Sequence, residues 1–170
     1  GCPPSHWEEV LTIVSEAVQN ADFHPRLVST AEEVGIIQKR ILQNLYEYHI
    51  VIADVSAKNP NVMFELGLRL AFDKPTIVIK DDKTPYSFDT SPIEHIEYPR
   101  DLRFSKIVQF KELLTKKILA TSKENNFSFL KSFGDFKVAK ITTKEVTGQD
   151  IIVDEIKYVR ELVERLNVNL

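Results

Sequence analysis

The sequence predicts an α/β protein built on a parallel sheet, and three observations carry that reading. Residues 48–53 (Tyr-His-Ile-Val-Ile-Ala) and 75–79 (Pro-Thr-Ile-Val-Ile) are continuous apolar runs, the pattern of strands covered on both faces. Between them, residues 60–73 read as a helix, so strand, helix and strand form a βαβ unit with a right-handed crossover. Amphipathic helical segments stand before and after that unit, enough to cover both faces of a sheet.

The elements follow in order. Residues 7–21 are expected to be helical, with Trp7, Val10, Leu11, Val14 and Val18 at spacings of three and four. Ser5 is the expected N-cap, with Glu8 completing a capping box. Residues 23–28 (Phe-His-Pro-Arg-Leu-Val) alternate like a short strand, with Pro25 marking its end or an edge position. Residues 34–46 form a second amphipathic helix with Ile37, Ile41, Leu42 and Leu45 on one face. After the βαβ unit comes a looser stretch, 81–94, containing Pro85 and Pro92. A short strand is expected at 95–98 and a helix at 103–120. The polar linker Ser122-Lys-Glu-Asn-Asn126 then divides the chain into a domain over 1–121 and an appendage over 122–170. The appendage carries a strand-like segment, Lys137–Ile141, and an amphipathic helical tail over 149–166. That tail packs on its own domain or makes a subunit contact, which leaves a homo-oligomer open.

Composition narrows the function. The chain has 170 residues, 43% hydrophobic and 28% charged, with a net charge of −3 and a pI near 5.9. A nucleic-acid binder usually shows a basic surplus or stripe, and none is present. Cys2 is the one cysteine, which excludes an intrachain disulfide and a cysteine-rich zinc site. That usage fits a reducing cytosol. No apolar run approaches the roughly 18 residues of a membrane span, and no signal peptide is visible at the start. The expectation is a cytoplasmic protein with no membrane and no nucleic-acid partner. The four histidines have no metal-ligand spacing, and no Gly-x-Gly-x-x-Gly, Walker or serine-elbow motif occurs.

The segment that carries chemistry is 54–67. Asp54 ends a buried strand and so lies at the sheet edge where open parallel sheets bind ligands. Asn59 and Pro60 are the favoured N-cap and first helical residue, and the helix they open points its N-terminus at the same edge, where free N–H groups favour phosphate. The helix is apolar enough to be largely buried. Asn61, Glu65, Arg69 and Asp73 recur at four-residue steps along it. Either this stripe is the exposed face, with Glu65 paired to Arg69 for a few tenths of a kcal/mol (about 0.2–0.5), or its upper part faces a ligand. Gly67 costs about 1 kcal/mol in a helix, which close packing of a backbone or ligand would explain. Trp7 and Tyr46 are candidates to stack on a base, or else core residues.

The run Ile52-Ala-Asp-Val-Ser-Ala-Lys-Asn-Pro-Asn-Val-Met-Phe-Glu-Leu-Gly67, followed by Ala71-Phe-Asp-Lys-Pro75 and a strand, resembles the nucleoside 2-deoxyribosyltransferase-like proteins. These are related in fold to TIR and TIR-like domains, many of which act in bacterial antiphage defence. The pattern Asp-x5-Pro-Asn-Val-x2-Glu-Leu-Gly carries the resemblance. Weaker similarity runs from Trp7 to about Ala120 and includes Gly35-Ile36 and Pro85-x2-Phe-Asp89. The family pattern opens with an apolar strand ending in a Met-Pro-Phe-like turn, whereas this chain begins Gly1-Cys-Pro-Pro. The family's first strand is therefore expected to be absent from these residues, or the sheet to be built differently.

The resemblance implies a flavodoxin-like, doubly wound sheet and attack on an N-glycosidic bond. It implies Glu65 as the catalytic carboxylate and substrate contacts from Asp54, Ser56, Asn61, Trp7 and Asp89. It implies a nucleotide or nucleoside ligand and no cofactor, with NAD entering as a candidate substrate. Cleavage builds an oxocarbenium-like ribose that a carboxylate can stabilise or trap. The other readings are a TIR-like module that senses a nucleotide without cleaving it, and a scaffold assembled through the tail.

Overall fold

A computed structural model describes residues 2–29, 37–87, 90, 93–123, 128–132 and 134. The chain divides into two compact units, Gly1–Ala139 and Lys140–Leu170. The second unit, the strand expected at 137–141 and the helix expected at 149–166 lie outside the described residues.

The first unit contains helices α1 (Pro4–Asn20), α2 (Ile37–Glu47), α3 (Pro60–Ala71) and α4 (Phe104–Lys123), and strands β1 (Val51–Asp54), β2 (Thr76–Asp81) and β3 (His95–Tyr98). The strands form an open, fully parallel sheet in the order β1-β2-β3. This is the α/β class that the two apolar runs predict. Among the described residues β1 is an edge strand, bonded to β2 alone.

Side-chain alternation sends the two faces of the sheet to two cores. Ile77, Ile79, Ile96 and Tyr98 pack with Val10 and Ala17 of α1 and with Ile107, Phe110, Leu114 and Ile118 of α4. Ala53, Val55 and Val78 pack on the opposite side with Leu66 and Leu70 of α3. Ala17 is fully buried, and its small side chain lets α4 approach closely enough for Thr115 Oγ1 to donate to the Ala17 carbonyl at 3.0 Å.

Several local expectations are corrected. Helix α1 begins at Pro4, with Pro3 as an N-cap whose side chain makes no capping hydrogen bond. Ser5 lies inside the first turn and caps nothing, because proline at the first helical position sets the start instead. Residues 23–27 are irregular. They face the unpaired edge of β1 across an open space, so no ladder among the described residues extends them into a strand. The expected strand at 48–53 starts only at Val51. Tyr48 N–H still bonds the Asn44 carbonyl of α2 at 3.0 Å, and the His49 carbonyl accepts from Arg69 Nη2 at 3.1 Å.

Helix α3 is less buried than its composition predicts. Leu66, Arg69 and Leu70 are buried, while Asn61, Phe64, Gly67 and Ala71 form an exposed face, with Phe64 68% exposed. Among the described residues a Cβ added at Gly67 would meet nothing within 4 Å, so close packing against them does not explain this glycine. Past the helix, Asp73 takes a left-handed backbone (φ 52°) and ties down the segment after α4. Its carboxylate accepts from Ser128 Oγ at 2.6 Å and from Leu130 N–H at 3.0 Å. No described helix is long and apolar enough to cross a membrane.

Candidate functional site

Parallel strands place their carboxyl ends together, and here those ends bring Asp54, Asp81 and Tyr98 to one edge of the sheet. Directly after β1 the chain turns tightly. Ser56 N–H donates to Asp54 Oδ1 at 3.0 Å, an Asx turn. Ala57 and Lys58 both hold left-handed φ values, 54° and 53°, a conformation that costs side-chain-bearing residues energy. Thr84 Oγ1 secures the bend by accepting from Ala57 N–H at 2.9 Å. The chain then enters α3 with Asn59 Oδ1 accepting from Asn61 N–H at 2.9 Å and Pro60 at the first helical position, as the Asn-Pro pair predicts.

A cavity of about 1070 Å³ runs along the outer edge of β1. One wall is apolar and comes from Trp7, Val10, Leu11 and Val14 of α1. The polar end is formed by Asp54, Ser56, Asn59 and Glu65. Glu65 projects from α3, is partly buried, and makes no hydrogen bond or ion pair among the described residues. Burial raises its carboxyl above the ordinary glutamate value.

Asp54 is held quite differently. Besides the bond from Ser56 N–H, its Oδ2 accepts from the Tyr98 hydroxyl at 2.8 Å. Burial raises its carboxyl, and these hydrogen bonds from Ser56 and Tyr98 oppose the rise without cancelling it. The Tyr98 hydroxyl also meets Ser56 Oγ at 2.9 Å, and Ser56 Oγ accepts from Asp81 N–H at 2.7 Å. Burial and the neighbouring Asp54 push the Tyr98 phenol far up, so it stays protonated.

Asp81 is fully buried and is neutralised by Arg100, whose Nη2 and Nε approach its Oδ2 at 2.8 and 2.9 Å. Burial alone would raise the Asp81 carboxyl. The bonds from Arg100, Thr84 and Lys83 N–H overcome that and hold it low.

The residues singled out from the sequence are distributed unevenly. Trp7, Asp54, Ser56 and Glu65 border the cavity. Asn61 is exposed and does not line it, and Asn59 stands there instead. Asp89 lies outside the described residues. Tyr46 stacks edge-on with Phe72 at 5.3 Å and takes no part in the cavity wall. Tyr98 was missed by sequence reasoning. Its one signal was its place as the last residue of a strand. That its hydroxyl reaches Asp54 depends on the strand order, because β1 and β3 are two strand spacings apart, about 10 Å. No group of three or more His, Cys, Asp or Glu side chains that could hold a metal occurs among the described residues.

No family model, curated protein or solved structure matches the chain.

Proposed function

We propose that the first unit is a flavodoxin-like domain that binds a nucleoside or nucleotide and breaks or transfers its N-glycosidic bond, with NAD among the candidate substrates. The observation that carries this reading is the Glu65 carboxylate, without a partner among the described residues, at the polar end of a cavity it shares with Asp54. An unpaired, partly desolvated carboxylate in a cleft is costly for stability and suited to chemistry.

In the proposed reaction the bond between the anomeric carbon and the base nitrogen breaks, and its electron pair leaves with the base. The Glu65 carboxylate stabilises the resulting oxocarbenium-like ribose or bonds to it. Water or a second base then takes the ribosyl group and restores the carboxylate. Asp54 accepts hydrogen bonds from ribose hydroxyls, and the apolar wall with Trp7 holds the base. A phosphate on the ligand would sit at the N-terminus of α3, where backbone N–H groups and the helix dipole favour anions.

The test is base release from NAD and from deoxynucleosides by the wild type and by Glu65→Gln. Roles of this kind are worth about 10²–10⁴ in rate, so the variant should lose nearly all turnover while keeping its fold. Undiminished base release by Glu65→Gln would sink the assignment. A second reading, a module that holds a nucleotide without cleaving it, draws on the state of Asp54, both of whose oxygens are already engaged as acceptors. Thermal stabilisation by NAD, ADP-ribose or a cyclic nucleotide with no product formed would favour that reading.

A further inference from the structure

Tyr98 takes no part in the proposed reaction, yet its hydroxyl contacts both Ser56 Oγ and Asp54 Oδ2 at the carboxyl edge of the sheet. The side chain is 2% exposed and its ring lies against Phe110 at 5.4 Å between centroids. A phenylalanine would pack the same ring, so the hydroxyl calls for its own account.

We propose that Tyr98 is a positioning residue that fixes the orientation and charge of Asp54 through a directed hydrogen-bond chain. The proposal rests on the reading of Asp54 as a ligand contact. The direction of the chain follows from donor and acceptor chemistry. Asp81 N–H can only donate, and it donates to Ser56 Oγ at 2.7 Å. Tyr98 has a single hydroxyl proton and gives it to Asp54 Oδ2 at 2.8 Å. The 2.9 Å contact between the two hydroxyls therefore runs from Ser56 to Tyr98. Ser56 N–H closes the arrangement on Asp54 Oδ1 at 3.0 Å.

Every donor in this chain points toward the Asp54 carboxylate, and each bond polarises the next. A carboxylate held at both oxygens keeps one plane and one rotamer, with its remaining lone pairs available to a hydroxyl in the cavity. The other charged groups around it are placed so as not to replace Tyr98. Asp81 comes from β2 and is neutralised by Arg100. Glu65 comes from α3, and His24 and Arg26 border the same cavity from the segment after α1. Among the described residues, only Tyr98 and Ser56 donate to Asp54.

Titration of the aspartate carboxyls by carbon-detected NMR tests this directly, with the Asp54 signal assigned from Asp54→Asn. Tyr98→Phe removes a donor to the charged form, so the Asp54 midpoint should move up. Ser56→Ala should move it in the same direction by less. A purely structural Tyr98 would lower the melting temperature and leave that midpoint in place, and an unmoved midpoint in folded Tyr98→Phe overturns the proposal. Should Tyr98→Phe not fold, Ser56→Ala, which keeps the ring, decides the matter by the same criterion.

Activity supplies a second readout. Tyr98→Phe should lower kcat/KM for NAD or deoxynucleoside cleavage by about tenfold, and adding it to Asp54→Asn should cost nothing further. Fully additive losses would overturn the proposal. A wild type that neither cleaves nor binds these ligands overturns the proposed function instead and leaves the titration result standing.

Discussion

Glu65 and Arg69 stand one helical turn apart on α3 and make no ion pair. Arg69 is 0% exposed and runs inward, where its guanidinium donates to the carbonyl oxygens of Leu45, His49 and Pro75. Those three acceptors lie at the end of α2, before β1 and before β2. Arg69 thus joins three chain segments and supplies donors to the carbonyls of Leu45 and His49, while that of Pro75 accepts from Val51 N–H as well. Burial pushes its guanidinium down to about 10, which still leaves it charged at neutral pH. Among the described residues Glu65 has no cation partner, and it lines the cavity.

Arg69→Met should therefore be severe. It keeps much of the volume and removes every donor, so the Leu45 and His49 carbonyls lose their Arg69 partner at about 1–3 kcal/mol each before relaxation, while the Pro75 carbonyl keeps the Val51 N–H at 3.2 Å. A loss of about 3 kcal/mol or more in denaturant unfolding is expected. Arg69→Lys should recover only part of it, since one ammonium cannot span the three acceptors that the planar fork reaches. A loss below about 1 kcal/mol for Arg69→Met would contradict this account.

Glu65→Gln should behave in the opposite way for stability. The native carboxyl is raised by burial, so the native state binds more protons than the unfolded state just above the ordinary glutamate value. Stability from this group is then present at acid pH and falls as pH rises through that window. At pH 7 the neutral glutamine avoids the cost, and the melting temperature should exceed that of the wild type. The advantage should vanish below about pH 4. A catalytic residue that lowers stability is a common compromise, and equal melting temperatures at pH 7 would argue that Glu65 is not desolvated.

Asp81 carries the reverse sign. Its native carboxyl is held low by Arg100, Thr84 and Lys83 N–H against the effect of burial. Its contribution is complete above the ordinary aspartate value of about 3.9 and is lost as pH falls through the lower native value. Arg100→Met would leave this fully buried carboxylate without its cation, a change that costs about 3–5 kcal/mol for buried pairs; Arg100 itself is partly exposed, so the lower end is expected. Urea unfolding between pH 3 and pH 7 should show the wild type losing stability toward acid and the variant losing less.

Gly67→Ala should stabilise. Among the described residues a Cβ at this position meets nothing within 4 Å, and exchanging glycine for alanine inside a helix is worth roughly 0.5–1 kcal/mol. If the gain appears and any nucleotide affinity is unchanged, the glycine serves no contact in the site. A loss of affinity with intact folding would show that a ligand uses this face.

Much of this architecture was legible in the sequence. Strands β1 and β2 are apolar on both faces because both faces are covered, and such runs stand out without any tertiary information. Asn59 and Pro60 set the start of α3 by local chemistry alone. Asp54 could be nominated because a strand end and a helix start meet at one sheet edge, whereas Glu65 and Trp7 are nominated through the resemblance of the 54–67 pattern and the chemistry of an aromatic ring. Local rules failed where partners came from afar. Residues 23–28 alternate like a strand, but a strand forms only where a neighbour completes its ladder, and β1 offers them none among the described residues. Arg69 looked like one step of a solvent stripe, and only the arrival of Leu45, His49 and Pro75 from other segments turned it into a buried clasp. Tyr98 could not be found at all, since its bond to Asp54 crosses β2 and so depends on the strand order. Periodicity and capping are local and written in the sequence; the pairing of buried polar groups is set by which segments meet, and that was decided only when the chain folded.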